Sequence, residues 1–111
     1  MNEGPHAGLR AKLVAQSEEL RAASAQTEDD RKPVALDQTS VGRLSRMDSM
    51  QVQAMAVAQE KRRHDAIKRI ESTIARIDAD EYGDCIKCGE EIGEGRLQVD
   101  PTAPTCIRCA R

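Results

Sequence analysis

The sequence almost lacks aromatic side chains: it contains one Tyr, no Phe and no Trp in 111 residues. Those bulky side chains normally supply much of a globular core, so we do not expect a large enzyme core. The apolar residues that are present are mostly Ala, Leu, Ile, Val and Met. This set suits the packing of helices against one another. The length leaves room for one compact domain, or for long helices with a small appendage.

A dominant charge of one sign is also lacking, because 17 basic residues face 19 acidic ones and the net charge is -2. The chain therefore has no general electrostatic attraction to DNA or RNA. It also lacks the run of about 18 to 20 apolar residues that a helix needs to span a bilayer. The first thirty residues contain no apolar segment typical of a signal peptide. We expect a cytoplasmic protein that has no membrane partner.

Two helices are predicted from the spacing of apolar residues. The first runs from about residue 6 to 25, directly after Pro5. The second begins near Val41 and continues to the sequence DADEYG, where Gly83 can adopt the left-handed conformation that closes a helix. Apolar residues at intervals of three and four mark one face of this second helix: Met47, Met50, Ala54, Val57, Ile67, Ile70, Ile74 and Ile77.

The segment between the two helices is acidic and contains Pro33, which disfavours a continuous helix. We interpret residues 1–80 as an antiparallel helical hairpin resembling a coiled coil, with a connecting loop at about 26–40. The four isoleucines are expected to pack against the cysteine-containing module or the N-terminal residues. The methionines are expected in the core of the hairpin, with an adaptable binding surface as the alternative. The basic sequence KRRH at 61–64 is expected to be a solvated helix face, with contact to an acidic groove of a partner as the alternative.

All four cysteines lie in residues 81–111, which form the second predicted domain, in the pattern Cys85-x2-Cys88-x17-Cys106-x2-Cys109. Thiols in the cytoplasm are kept reduced, so this spacing favours metal ligands over disulfides. Two residues between thiolates allow one tight turn to hold both sulfurs at a tetrahedral edge, and two such turns complete the tetrahedron. A redox dithiol and an iron centre are the alternatives.

One structural zinc ion is the cofactor that this pattern predicts, because four thiolates fill its coordination shell and leave no position for substrate. Gly89 follows Cys88 and allows the first turn to form without a Cβ clash. Ala110 holds the equivalent place in the second turn, which is therefore expected to be less relaxed. Lys87 and Arg108 can offset the negative charge of the thiolates. Between the two turns, the sequence IGEGRLQV predicts a small hairpin.

The segment YGDCIKCGEEIGEGRLQVDPTAPTCIRC resembles the zinc finger of the DksA/TraR family of bacterial transcription regulators. That family has an aromatic-Gly pair before a CxxCG turn, then an Ile, an Arg-Leu pair, a Pro and a closing CxxC turn. Apart from the four cysteines, the corresponding residues here are Tyr82, Gly83, Gly89, Ile92, Arg96, Leu97 and Pro101. Upstream of this segment the resemblance is limited to the layout of a helical hairpin ahead of the finger.

The resemblance implies a protein that binds RNA polymerase, with no direct binding to a specific DNA sequence, and we expect a monomer. Members of the family insert the tip of the hairpin into the secondary channel, where acidic residues act near the catalytic Mg²⁺ and modulate initiation, in some cases together with ppGpp. The loop TEDDRKPVALDQ lacks the family's two aspartates three apart followed by an alanine. The candidate tip residues in this sequence are Glu28, Asp29, Asp30 and Asp37.

Other functions remain open on the sequence alone. The main alternative is a zinc-stabilised adaptor that binds another protein through its helical face, in which case the acidic loop is a solvated connector. Nucleic-acid binding by the finger is disfavoured, because residues 81–111 hold more acidic than basic side chains and Tyr82 alone can stack on a base. An enzyme is not expected, because the sequence has no nucleophile with a base, open metal site or phosphate-binding loop.

Overall fold

The computed structural model describes residues 4–31 and 43–110, and helices dominate these ranges. Helix α1 spans Ala7–Gln26, a short 3-10 turn spans Glu28–Arg31, helix α2 spans Arg43–Asp78 and helix α3 spans Glu94–Val99. The described part of the chain contains no strand. The mostly helical fold class predicted from the sequence is confirmed. None of the helices described is long and apolar enough to cross a membrane.

Contacts between residues divide the chain into two units. The first unit combines Met1–Ser17 with Lys68–Arg111, and the second consists of Glu18–Ile67. Both long helices therefore contribute residues to both units. The division into a hairpin of residues 1–80 and a module of residues 81–111 remains a prediction.

In the first unit, the beginning of α1 lies against the end of α2. The Arg10 guanidinium donates two hydrogen bonds to the Asp78 carboxylate, from Nε to Oδ1 at 2.7 Å and from Nη2 to Oδ2 at 3.1 Å. These hydrogen bonds hold the pKa of Asp78 below its usual range. The two helices are therefore antiparallel here. Residues buried in this unit include Leu13, Ser17, Ile70 and Thr73.

Two buried hydroxyl groups of the first unit, those of Ser17 and Thr73, are satisfied within their own helices. The Ser17 hydroxyl donates to the carbonyl of Val14 at 2.8 Å, and the Thr73 hydroxyl donates to the carbonyl of Arg69 at 2.8 Å. Thr73 has no exposed surface. Because a buried hydroxyl without a partner is costly, these bonds allow two polar side chains to occupy positions that the sequence pattern reserves for apolar ones.

The apolar face predicted for α2 is confirmed in part. Ile67 and Ile70 are buried, whereas Ile74 and Ile77 are half-buried. The expectation that all four isoleucines are enclosed is therefore correct for the first two and too strong for the others. Of these four, Ile70, Ile74 and Ile77 belong to the unit that contains the cysteine module and the N-terminal residues, as the sequence predicted.

The prediction that the methionines of α2 form the hairpin core is wrong. Met47, Met50 and Met55 are 59%, 53% and 65% exposed. The reason is that the N-terminal half of α2 contacts α1 through polar residues, among them Glu60, whose carboxylate accepts a hydrogen bond from Ser24 at 2.7 Å.

Helix α2 is closed by Asp80 and not by Gly83. Asp80 has a φ of +58° and donates from its backbone N–H to the carbonyl of Ile77 at 3.1 Å. The next N–H, that of Glu81, donates to the carbonyl of Arg76 at 2.8 Å. These two bonds form a Schellman motif, in which a residue in the left-handed conformation ends the helix. Gly83 lies three residues further on and belongs to the cysteine module.

Candidate zinc site

The first cysteine pair lies in a tight turn that follows α2. The backbone N–H of Cys85 donates to the carbonyl of Glu90 at 2.8 Å, and the N–H of Gly89 donates to the carbonyl of Cys85 at 2.9 Å. The N–H of Lys87 also points to the Cys85 sulfur at 3.4 Å. Gly89 has a φ of +79°, which glycine adopts without strain. This turn buries Cys85 and leaves Cys88 exposed.

The second cysteine pair forms a similar turn without a glycine. The N–H groups of Cys109 and Ala110 both donate to the carbonyl of Cys106, at 3.1 Å and 3.0 Å. Within the described residues, Asp80 is the one non-glycine residue with a positive φ. Ala110 therefore has an ordinary backbone conformation, and the expectation of a less relaxed second turn is wrong. Cys106 is buried and Cys109 is half-buried.

The segment between the two turns contains helix α3, so the predicted small hairpin is wrong. Gly93 precedes the helix with a φ of +104°, and the N–H of Asp100 donates to the carbonyl of Arg96 at 2.8 Å at its end. Strand-like pairing in the described part of this module consists of an isolated antiparallel bridge between Asp84 and Glu91. The helical turn brings Leu97 against a core formed by Cys85, Ile92 and Cys106. This packing of Leu97 favours a helix where the sequence predicted the second strand of a hairpin.

Three hydrogen bonds connect distant parts of the module. The Tyr82 hydroxyl donates to the carbonyl of Pro101 at 2.9 Å, and Arg96 Nε donates to the carbonyl of Thr105 at 2.9 Å. In addition, a backbone bond of 2.9 Å joins the N–H of Ile86 to the carbonyl of Pro104. Two side-chain bonds and one backbone bond thus hold the parts of the module together.

The four cysteine sulfurs converge, and their Sγ atoms all lie within 4.8 Å of one another. The Sγ atoms of Cys88 and Cys106 are 3.7 Å apart. Zinc–sulfur bonds of about 2.3 Å in a tetrahedron place neighbouring sulfurs about 3.8 Å apart. The donor set and its spacing therefore fit a four-coordinate zinc ion with no open position for water or substrate. This arrangement can support structure but not metal-based catalysis.

The four thiols of this cluster differ in how readily they ionise, because the pKa is lowered at Cys85 and Cys106 and raised at Cys88 and Cys109. Burial raises the pKa of Cys85, but backbone hydrogen bonds, the strongest from Cys106, outweigh burial and lower the pKa to about 6. A backbone hydrogen bond from Cys109 lowers the pKa of Cys106. Neighbouring sulfurs, first that of Cys106, raise the pKa of Cys109 to about 12. A backbone hydrogen bond from Glu90 lowers the pKa of Cys88, but burial and the sulfurs of Cys85 and Cys106 outweigh that bond and raise it. A divalent cation among the sulfurs stabilises all four thiolates.

The candidate tip residues are only partly within the described ranges. Glu28, Asp29 and Asp30 lie next to one another in the 3-10 turn Glu28–Arg31 of the second unit, and all three are exposed. Asp37 lies outside the described residues. The structure thus brings three of the four candidates together on one short turn.

Sequence reasoning missed a polar cluster in the second unit. Arg63, which the sequence placed on a solvated face, is 14% exposed and hydrogen-bonds with Glu60 at 3.0 Å. A signal was present, because the inward positions of α2 recur at intervals of three and four. These positions are Gln53, Ala56, Glu60, Arg63, Ile67 and Ile70. A search for apolar residues alone passes over the pattern, because three of the six are polar.

Comparison with known proteins finds relatives of the cysteine module. The model of the prokaryotic dksA/traR C4-type zinc finger matches residues 80–111. The RNA polymerase-binding transcription factor DksA of Haemophilus influenzae is 51% identical over 43 residues, which make up 39% of this chain and 30% of that protein. The protein of the same name from Escherichia coli K12 is 46% identical over 43 residues, 39% of this chain and 28% of that protein. The similarity in sequence thus spans less than a third of these relatives.

A solved structure extends the similarity beyond the cysteine module. Transcription factor DksA2 from Pseudomonas aeruginosa superposes with a TM-score of 0.69 at 25% sequence identity. The superposition covers 91% of this chain and 76% of that chain. The match to a C4 finger and the convergence of the four sulfurs lead to the same conclusion: the module holds a structural zinc ion.

Proposed function

We propose that this chain, whose residues 80–111 match the zinc finger of the DksA/TraR family, is a member of that family and a transcription regulator, and not an enzyme, that binds bacterial RNA polymerase. The observation that carries the proposal is the match of residues 80–111 to the finger of that family. The superposition on DksA2 over 91% of the chain supports it, because it includes the helices ahead of the finger.

The zinc finger has a structural role in this proposal. Its ligands are the four cysteines, Cys85, Cys88, Cys106 and Cys109, whose sulfurs lie within 4.8 Å of one another. Binding of zinc supplies folding free energy to a module of about thirty residues that has a small apolar core. The finger belongs to the same unit as the end of α2 and the beginning of α1. We therefore assign it the task of fixing the ends of the two long helices.

The acidic turn has the regulatory role. Glu28, Asp29 and Asp30 are exposed on the turn Glu28–Arg31, where carboxylates can approach a cation held by a partner. In the proposed complex this turn enters the secondary channel of the polymerase, and its carboxylates perturb the catalytic Mg²⁺ during initiation. Asp37 is a further candidate by its position in the sequence. The protein acts in the cytoplasm as a monomer, with ppGpp as a candidate co-effector.

In vitro transcription from a ribosomal RNA promoter, with and without ppGpp, tests this assignment. A variant with Asp29→Ala and Asp30→Ala should bind polymerase as the wild type does but lose the effect on initiation. The matched control carries Glu18→Ala and Glu19→Ala, two exposed carboxylates on α1, and should regulate normally. Regulation by the Asp29/Asp30 variant at the wild-type level would refute the role of the turn.

An adaptor that binds a different protein is the second candidate. The observation in its favour is a set of exposed apolar side chains on α2: Met47, Met50, Val52, Met55 and Val57. Exposed apolar side chains on one helix can form an interaction site. Absence of polymerase binding, together with a folded and zinc-loaded protein, would favour this function over the first.

A further inference from the structure

A half-buried carboxylate in the second unit lies at the centre of a network of hydrogen bonds between α1, the acidic turn and α2. Glu60 accepts a hydrogen bond from the Ser24 hydroxyl at 2.7 Å and another from Arg63 Nη1 at 3.0 Å. Its Oε1 is also 3.4 Å from Arg31 Nη1. The side chains of Arg31, Glu60 and Arg63 are 21%, 28% and 14% exposed. Water therefore screens these interactions less than it screens a surface ion pair.

The network extends directly to the acidic turn. Arg31, the last residue of the turn, donates from Nη1 to the carbonyl of Ser24 at 3.1 Å and to the Thr27 hydroxyl at 3.0 Å. Arg63 donates to the same Thr27 hydroxyl at 3.3 Å. From α2, Gln53 Nε2 donates to the backbone carbonyl of Arg31 at 3.3 Å. The turn Glu28–Arg31 is thus held at both ends by side chains of α2 and by the preceding residues of α1.

The turn has little stability of its own. It is a 3-10 helix of four residues, and 3-10 helices have poorer hydrogen-bond geometry than α-helices and rarely extend beyond one turn. The backbone bonds at its start are those from the N–H of Thr27 to Ala23 and from the N–H of Asp30 to Thr27, both 3.1 Å. None of its residues is buried. Contacts made by side chains must therefore fix its position.

The charges of the network allow it to fix the position of the turn. The single carboxylate of Glu60 faces two guanidinium groups, those of Arg31 and Arg63. Loss of the Glu60 charge leaves two cations close together without their shared acceptor. Directional polar contacts of this kind specify one arrangement where apolar packing permits several.

We propose that Glu60 is a positioning residue, which fixes the acidic turn Glu28–Arg31 in one orientation through Arg31 and Arg63. The orientation of the turn depends only on this network of hydrogen bonds. Its consequence for transcription rests on the proposed function, because it concerns how the same carboxylates reach the polymerase. A substitution at Glu60 should then release the turn without disturbing the zinc finger.

Amide hydrogen exchange tests the structural part of the proposal. Glu60→Gln keeps the size of the side chain and an oxygen for Ser24 but removes the charge, and Glu60→Ala removes every contact. We expect the amides of Thr27 and Asp30 to exchange on the order of tenfold faster in Glu60→Ala than in the wild type, with Glu60→Gln between them. The amides of Cys85 and Ile92 in the finger should be unaffected.

The matched control is Asp65→Asn, which removes a carboxylate from the same helix. Asp65 pairs with Lys61 at 3.3 Å, and both side chains are exposed, at 55% and 78%. We expect this variant to exchange as the wild type does at Thr27 and Asp30. Equal exchange at those two amides in the wild type, Glu60→Gln and Glu60→Ala would overturn the proposal. Comparable acceleration by Asp65→Asn would also overturn it, because the effect would then be a general one of charge on α2.

In vitro transcription tests the consequence. Glu60→Ala should retain zinc and polymerase affinity but reduce regulation to the level of the Asp29/Asp30 variant, with partial recovery in Glu60→Gln. Full regulation by Glu60→Ala would refute the positioning role even if exchange were faster. If the wild type does not bind polymerase, the proposed function fails, whereas the exchange experiment still decides whether Glu60 fixes the turn.

Discussion

The hydroxyl of Tyr82 donates a hydrogen bond of 2.9 Å to the backbone carbonyl of Pro101, 19 residues further along the chain. The same ring contacts His6 edge to face, with ring centroids 4.8 Å apart. Burial raises the pKa of Tyr82, which keeps the hydroxyl protonated as a donor. The single aromatic residue of the sequence therefore connects the residues before the first cysteine turn with those before the second and with the N-terminal segment.

Replacing Tyr82 by Phe should lower stability by about 1 kcal/mol, because it removes one net hydrogen bond and keeps the ring. Urea unfolding of the zinc-loaded protein measures this difference. The control is His6→Ala, which removes the ring contact and keeps the hydroxyl bond. Stability equal to the wild type in Tyr82→Phe would show that water replaces the hydroxyl at Pro101 without cost.

Removal of zinc should unfold the cysteine module. Cys88→Ser is the most informative change because Cys88 is exposed, so the substitution leaves no cavity and its effect reports metal binding. Elemental analysis should give one zinc per wild-type chain and less in the variant. Thermal melting in the presence of a strong chelator should resemble melting of the variant. Wild-type melting in either case would contradict a structural metal.

Replacing Asp80 by Gly should stabilise the protein by roughly 0.5 kcal/mol. Asp80 closes α2 with a φ of +58°, a conformation that costs a residue with a Cβ atom about 1 to 2 kcal/mol, and part of this gain is lost to the greater freedom of Gly in the unfolded chain. Asp80→Val should destabilise, because a β-branched side chain tolerates this conformation least. Chemical denaturation of both variants measures the difference. Equal stability of the Gly and Val variants would rule out a strained helix end.

Replacing Ile70 by Ala should destabilise by roughly 2 to 4 kcal/mol, the range found for enclosed aliphatic side chains. Ile70 is 5% exposed, whereas Ile74 is half-buried, so Ile74→Ala should cost clearly less. Both changes remove the same atoms from the same helix, which makes them a matched pair. A larger loss for Ile74 than for Ile70 would reverse the assignment of the buried face.

The sequence predicts the features of this protein that depend on spacing. Two CxxC pairs separated by 17 residues determine the metal site, because tetrahedral zinc chemistry requires two tight turns. Helices α1 and α2 are long enough to show their period and to be bounded within a few residues. Helix α3 has six residues, too few for a period to be visible, and its formation depends on the packing of Leu97 in the folded module.

Features that depend on a choice between conformations of similar free energy could not be predicted from the sequence. Asp80 and Gly83 both adopt a positive φ, at +58° and +98°, and composition favours the glycine as the end of the helix. Glu60 and Arg63 occupy inward positions because their charges are paired within the second unit, whereas a hydrophobicity pattern assigns them to the surface. Contacts that exist only in the folded chain determine which residue ends the helix and which side chains face inward.

Binding of the zinc-loaded protein to purified bacterial RNA polymerase is the most direct test of the proposed function. Titration of labelled protein against the polymerase should give saturable binding with about one protein per enzyme. The Asp29/Asp30 variant should bind with the same affinity, and Cys88→Ser should lose binding together with zinc. No binding by the folded, zinc-loaded wild type at micromolar polymerase would contradict the assignment as a polymerase-binding regulator.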